Sequence, residues 1–420
     1  MGEKKNDNLP LSPYRVLDLT DEKGLLCGKI LADLGAEVIK IEKPGGDTAR
    51  QIGPFCDDIP CQENSLYWMA YNASKKSITL NIESSDGRDI LRQLVKKADI
   101  IVESYDPGYL DGLGLGYAEL SKLNPSVLMT SITPFGQTGP YRNYKASDLV
   151  LWSMGGYTYL CGDPDRPPVQ ISFPQAYFQA GMEAATATML ALYHQVMSGE
   201  GQYIDVSIQA SVAKGTVNAP LFWEVNKVIL KRSGPDRVGL SKGGGSRTHW
   251  PCKDGYIAFS IFGGPAGART NKALAEYMDS EGVCPEFMKE MDWYKFDLAT
   301  ISQDLFDQFA DHLYTFFMSH TKQELFEEAV KRKMTIYPVT TIEDLAKDSH
   351  LAERGFWQEI KHDDQDMTLT YPGDFCKSTE TLFHRQHAAP KVGEHNLEVF
   401  EDLMDFNRQD IILWAQNGVI

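Results

Sequence analysis

Several common signatures are missing from this chain. Only seven cysteines occur in 420 residues (Cys27, Cys56, Cys61, Cys161, Cys252, Cys284, Cys376), none in a CxxC pair. An odd, scattered set suits reduced thiols better than a disulfide framework and points to the cytoplasm. No run of about 18 apolar residues is present, so no membrane span is expected, and the opening MGEKKNDNLPLSP lacks the apolar stretch of an export signal. Basic residues are outnumbered, 41 against 58 acidic, for a net charge of −17. That balance argues against a nucleic-acid surface, which needs clustered cations to neutralise phosphates. HExxH and paired Cys or His at zinc spacing are also absent, so no metal is expected. A dinucleotide fingerprint would need GxGxxG directly after the first strand, where the chain reads TDEKGLLCGK.

What is present is the composition of an ordinary globular protein, 42% hydrophobic and 24% charged, long enough for two domains with sizeable cores. Residues 14–20 (YRVLDLT) read as a strand, 23–34 as a helix with Leu25, Leu26, Ile30 and Leu34 on one face, and 37–41 as a second strand. Strands at 77–82, 99–103 and 127–132 alternate with helices at 86–98 and 117–123. A small-residue helix at 178–197 runs into a glycine turn and a strand around Ile204–Val206–Ile208. The expected class is α/β: a large domain with a mostly parallel sheet covered on both faces. Between 226 and 335 the texture shifts to a glycine stretch, a strand pair and acidic amphipathic helices at 270–278, 303–318 and 322–331, which reads as a smaller α+β domain. The expected division is therefore 1–225, 226–335, and a segment 336–420 returning to the large domain, with helices at 394–403 and 410–416.

Gly239-Leu-Ser241-Lys-Gly243 matches the GxSxG nucleophile elbow by letter, but a strand rather than a helix follows it, which argues against a serine hydrolase. Gly112, Gly114 and Gly116 read as a helix stop. Gly243, Gly244 and Gly245 make a loop free to take positive φ and approach a ligand closely, the alternative being a plain connector. His249 lies just beyond it. His194, on an apolar helix, reads as a structural imidazole.

Several stretches, in order, carry a resemblance: LADLGAEVIKIEKPGGD, NASKKSITLNI, ADIIVESYDPGYLDGLGLGYAEL, SITPFGQTGPYRNYKASDL, GDPDRPP, SGEGQYIDVS, CKDGYIAF and PVTTIEDLAKDSHLAERGFW. Together they resemble the class III CoA-transferases, the formyl-CoA transferase and carnitine CoA-transferase family, across most of the chain. The resemblance implies a Rossmann-like large domain, a small domain, and two subunits interlocked as rings. It also implies transfer of CoA from an acyl-CoA to a carboxylic acid, with CoA esters as substrates and no permanently bound cofactor. An Asp forms a mixed anhydride with the acyl group, and CoA thiolate then makes an enzyme thioester that the acceptor resolves. By position, the family's CoA contacts fall on Lys43, Leu80, Ser104, Tyr105, Gly112 and Lys145, and its shielding loop on Gly243–Gly245. Where many members carry Asn-Phe-Arg, this chain has Ser104-Tyr105-Asp106, and a negative Asp106 would repel a polyanion unless it faces solvent or caps a turn.

The larger departure is the nucleophile. The family Asp precedes the glycine of the long helix by four residues; counting back from Gly181 gives Tyr177. A phenol of ordinary pKa about 10 cannot form the anhydride. Asp163 and Asp165, in the GDPDRPP turn, and Glu183, further along the helix, are not placed to substitute. The pattern resembles the Asp-lacking subunit of the two-subunit benzylsuccinate CoA-transferases, in which succinyl-CoA is the donor. It implies a heteromer whose Asp-bearing paralogous partner supplies the chemistry, this chain alone being inactive. Two other readings stay open: an acyl-CoA racemase or isomerase using a His and carboxylate pair, and a non-catalytic CoA-binding or assembly protein.

Overall fold

The computed structural model describes residues 9–237, 246–297, 301–362, 366–383 and 386–420. Two units divide the chain. The larger takes residues up to Gly156, Ile171–Thr216 and His350–Ile420; the smaller takes Tyr157–Gln170 and Val217–Ser349. The chain thus enters the smaller unit twice, first for a short excursion around the GDPDRPP turn.

The larger unit alternates strictly at first: β1 (Arg15–Leu19), α1 (Leu25–Asp33), β2 (Glu37–Glu42), α2 (Leu66–Asn72), β3 (Lys76–Thr79), α3 (Ser85–Val95) and β4 (Ile100–Glu103). It continues with α4 (Tyr109–Gly112), α5 (Tyr117–Leu123), β5 (Leu128–Thr133) and α6 (Asp148–Met154); after α7 (Tyr157–Leu160), which belongs to the smaller unit, come α8 (Ala176–Ser198), β6 (Tyr203–Ser207) and α9 (Ile208–Lys214). The six strands form one sheet in the order β3-β2-β1-β4-β5-β6. Every pairing is parallel, for example Val16 with Val38 on one side and with Ile100 on the other. β2, β4 and β5 are buried almost end to end, as strands covered on both faces must be. Strand order reverses between β1 and β4, the place where doubly wound sheets open a crevice at their carboxyl edge.

α8 is long and small-sided because it packs closely on α1. Its buried face is Ala176, Ala180, Gly181, Ala184 and Ala185, and a Cβ at Gly181 would stand 2.8 Å from Leu26 Cβ. Gly199, at φ 79°, ends the helix in the left-handed region.

Strand β3 is shorter than the expected 77–82 because the chain leaves the sheet to meet a later segment. Asn81 donates its amide to Val419 O at 2.7 Å, and Thr79 donates to Asn396 Oδ1 at 2.9 Å. Gly393, His395 and Asn396 bond to Ser77 and Thr79 in the same way, and the helix expected over 394–403 takes a π-helical form over Glu398–Leu403. These contacts cover an edge that would otherwise present unpaired amides.

The smaller unit holds a three-stranded antiparallel sheet of His249–Cys252, Gly255–Ala258 and Tyr337–Pro338. Helices Gly264–Ser280, Gln303–Met318 and Lys322–Arg332 belong to the same unit, and its core includes Trp250, Phe259, Phe309 and Phe317. Thr321 and Glu324 close the last helix with a capping box.

Three strands of the large sheet carry buried charges. Asp18 of β1, fully buried, accepts from Thr20 N at 3.0 Å, Thr20 Oγ1 at 2.6 Å and Lys75 Nζ at 2.8 Å. Lys75 also donates to Leu25 O at 2.8 Å and Asn72 Oδ1 at 3.0 Å, tying together β1, α1 and α2. Burial alone would raise the Asp18 carboxyl, but the Lys75 and Lys40 ammonium groups outweigh it and hold the group below its ordinary value. Gly28 is needed beside this pair, since a Cβ there would lie 2.3 Å from Asp18 Oδ2. Removing one partner of a buried pair strands the other charge at a cost of about 3–5 kcal/mol, whereas replacing both is close to neutral. Lys75→Met should therefore lower unfolding stability by about that amount in a urea titration, and Asp18→Asn combined with Lys75→Met should recover most of it.

Candidate functional site

The residues carried over for CoA gather at the carboxyl edge of the sheet, around the switch between β1 and β4. Ser104 follows β4, is buried, and donates its hydroxyl to Asp21 Oδ1 at 2.7 Å while accepting the Asp21 amide at 2.8 Å. The turns after β1 and β4 are thereby fastened together. Tyr105 stacks on Tyr109 with ring centroids 4.8 Å apart. Tyr109 donates its hydroxyl to Glu83 at 2.9 Å, and Glu83 pairs with Lys43 at 3.4 Å. The loops after β2, β3 and β4 meet through this chain. Lys43 is exposed and directly follows β2; Leu80 directly follows β3, is buried, and donates its amide to Glu42 O at 2.7 Å. Gly112 ends α4, with no atom within 4 Å of where a Cβ would lie. Lys145 and Asp106 form an exposed ion pair, so the carboxylate at odds with a polyanion is neutralised by a neighbouring cation. Gly243, Gly244 and Gly245 lie outside the described residues.

The other singled-out residues have partners close by in their own units. His249, exposed at the head of its strand, has Nδ1 2.9 Å from Thr248 Oγ1, within the smaller unit. His194 is exposed on α8 with Nδ1 3.2 Å from Ser198 Oγ, about 25 Å along the helix from Tyr177. Asp163 and Asp165 each lie 3.7 Å from Arg166, and Glu183 pairs with Lys214 at 2.9 Å. Among the described residues no group of three or more His, Cys, Asp or Glu is arranged to hold a metal ion.

Tyr177 stands in the first turn of α8. The helix starts there because Asp148, first residue of α6, accepts the amides of Ala176 at 2.8 Å and Tyr177 at 3.1 Å, placing a carboxylate at the positive end of the helix dipole. The Tyr177 side chain is half-buried. Burial pushes its phenol up, and the Glu22, Asp148 and Asp21 carboxylates push in the same direction. Tyr67, on α2 and 4.6 Å from Tyr71 between ring centroids, is raised by burial and further by Tyr71, Glu22, Tyr177 and Asp148. Glu22, half-buried after β1, is itself raised, by burial first and by Asp21 second. At neutral pH, then, this pocket presents protonated phenols among carboxylates. A protonated phenol donates a hydrogen bond; it does not attack a thioester.

Glu22 and Asp148 were not among the residues expected at the site. The signal for Asp148 was partial: in KASDL it opens α6, where an acidic residue suits a helix N-terminus, but the amides it accepts are those of α8, 28 and 29 residues further on. Glu22 carries no such signal, as only the β1–α1 turn brings it toward α8.

The known proteins that this chain resembles agree with the geometry. The model of CoA-transferase family III matches residues 11–396. The chain is 36% identical over 391 residues to the succinyl-CoA:(R)-benzylsuccinate CoA-transferase subunit BbsE of Thauera aromatica, covering 92% of this chain and 93% of that one. It is 30% identical over 402 residues to the succinyl-CoA–L-malate CoA-transferase beta subunit of Chloroflexus aurantiacus, 94% of each. The crystal structure of a CAIB/BAIF family protein from Brucella suis superposes with a TM-score of 0.78 at 27% identity, covering 94% of this chain and all of that one. No helix among the described residues is long and apolar enough to cross a membrane. With the parallel sheet, the crowded carboxyl edge and a family match spanning nearly its whole length, the chain belongs to CoA-transferase family III.

Proposed function

We propose that this chain is one subunit of a two-subunit class III CoA-transferase that moves CoA from succinyl-CoA to a carboxylic acid, the attacking Asp coming from a paralogous partner. The observation that carries the reading is Tyr177: at the head of α8, where the resemblance calls for the nucleophilic carboxylate, stands a phenol held protonated by burial and by nearby carboxylates. Two relatives named as subunits, both with succinyl-CoA in their names, support the division of labour and the donor. A benzylsuccinate-like aromatic acid as acceptor rests on the first of these alone. The α8 surface supports a partner: Leu190, Tyr193 and Met197, spaced along one side of the helix, are 67%, 70% and 71% exposed, an apolar stripe that a stable subunit would cover. Interlocking of the two subunits as rings, and a cytoplasmic location with reduced thiols, complete the proposal.

In this reading the partner's Asp attacks the thioester carbonyl, releasing CoA thiolate and leaving a mixed anhydride. The thiolate then attacks the Asp acyl carbon, freeing succinate and forming an enzyme thioester, which the acceptor carboxylate resolves in the same two moves. This chain's own edge receives the CoA ester. Lys43 and Lys145 exchange Glu83 and Asp106 for phosphate oxygens. Exposed pairs contribute at most about 1 kcal/mol, so giving them up costs the ligand little. Gly112 leaves room there.

A second reading has one observation in its favour: Glu22, a half-buried carboxyl acting on Tyr177, would itself be the acylated group. For an α-proton racemase, which needs a His beside a carboxylate, α8 offers only His194, bonded to Ser198 about 25 Å along the helix from Tyr177.

The purified chain should show less than about 1% of the transfer rate of the complex formed by co-expression with an Asp-bearing paralogue, measured as succinyl-CoA consumption. Hydroxylamine-sensitive acylation should map to the partner by mass spectrometry. Acylation of the isolated chain that disappears in Glu22→Gln would instead establish the second reading. Lys43→Ala and Lys145→Ala should each raise KM for the CoA ester about tenfold with kcat held, the loss of roughly 1.5 kcal/mol of uniform binding.

A further inference from the structure

Glu103 ends β4, the strand on one side of the sheet's switch point, and its side chain is buried. Its register partners are Leu19 of β1 and Ser131 of β5. The carboxylate accepts the amide of Tyr105 at 2.8 Å, reaching past Ser104 to grip the turn that follows the strand. The hydroxyl of its register neighbour Ser131 favours its ionised form, and Tyr203 of β6 donates to Ser131 Oγ at 2.9 Å. Glu103 therefore closes a row of hydroxyls running beneath the sheet's carboxyl edge from β6 to β4. The charged groups acting on it come from the turn after β1: Lys23 favours its ionised form and Asp21 opposes it. No step of the proposed transfer uses this residue.

We propose that Glu103 is a positioning residue, whose ionised carboxylate clasps the Tyr105 amide and so holds the Ser104–Tyr105 turn in the conformation that receives a CoA ester. The inference rests on the reading of this edge as the CoA site. Ionised, Glu103 is an acceptor only and matches the Tyr105 N–H and the Ser131 O–H. Protonated, it must place an O–H of its own among those donors, and the clasp weakens. Burial raises the carboxyl to about 7 against the smaller opposing pull of Ser131 and the Tyr105 amide, so the clasp changes state in the neutral range. The folded chain binds this proton more tightly than the unfolded chain does. The resulting stability is complete below the ordinary glutamate value and is lost as pH rises through about 7. The turn is thus most firmly clasped under the conditions where the fold gains least from this residue.

The test uses the full chain without ligand and then with CoA. Hydrogen exchange of the peptide containing Tyr105, corrected for intrinsic rate, is measured at pH 6 and pH 8 in wild type, Glu103→Gln and Glu103→Ala. Wild type should be several-fold more protected at pH 8. Glu103→Gln, which accepts the amide but cannot ionise, should be equally protected at both values, and Glu103→Ala should be unprotected at both. By calorimetry wild type should bind CoA about three- to fivefold more tightly at pH 8 than Glu103→Gln does, with the two converging at pH 6; the comparison cancels titration of CoA's own phosphates. If Glu103→Gln keeps the full pH dependence of wild type, the clasp is overturned. If amide protection follows Glu103 but wild type binds no CoA, the assignment of this edge to CoA is overturned while the clasp stands. Should Glu103→Ala not fold, the wild type and Glu103→Gln pair decides the question alone.

Discussion

The buried Asp18–Lys75 pair is the constraint around which the large unit is arranged. A lysine and an aspartate wholly removed from water are tolerated only when well partnered, and here both carboxylate oxygens and all three ammonium protons are: Thr20, Leu25 O and Asn72 complete the set. The geometry that satisfies them also fixes where β1 ends, where α1 begins and where α2 stops. A second cluster lies beside it. Lys40 reaches Thr20 O and pairs with Asp47 at 3.0 Å, and Arg50 binds Glu42 at 2.7 Å and 2.8 Å while lying 3.7 Å over the Trp68 ring. Rigid, fully satisfied polar layers of this kind are a foundation on which exposed loops can hold position.

Above that foundation the carboxyl edge splits into two electrostatic provinces. Around Lys43 and Lys145 each cation is matched to an exposed carboxylate, so the surface is neutral and its bonds are exchangeable. Around Tyr177, burial and the Glu22 and Asp148 carboxylates resist ionisation of the phenols, while Lys23 acts on Glu22 against the burial that raises it. The first province is suited to receiving phosphates, the second to remaining inert. On the proposed reading, the head of α8, where the resemblance calls for a nucleophile, is poised against generating one.

Much of the architecture was legible from spacing. Helices read at 117–123 and 303–318 coincide with Tyr117–Leu123 and Gln303–Met318, because Gly116 stands directly before the first and Ser302 caps the second. The hydrophobic strands read correctly as buried on both faces. Charges inside those strands were the overlooked signal: Asp18, Lys40, Glu42 and Glu103 interrupt apolar runs and turn out to be the polar layer beneath the edge. The surroundings of Tyr177 were not legible, since Glu22, Tyr67, Asp148 and Tyr177 are separated in sequence by 45, 81 and 29 residues and meet only through topology. Nor was the short excursion of 157–170 into the smaller unit, which no shift in composition marks.

The covering of strand β3 by residues 393–419 sets an order of events. A ribosome emits β3 first, then the entire smaller unit, and only afterwards the segment that satisfies the amides of Thr79 and Asn81. During that interval the sheet has an open flank, with hydrogen-bond donors exposed to any extended chain nearby. The nascent protein is therefore most open to mispairing at the stage when its longest-range closure is still unmade.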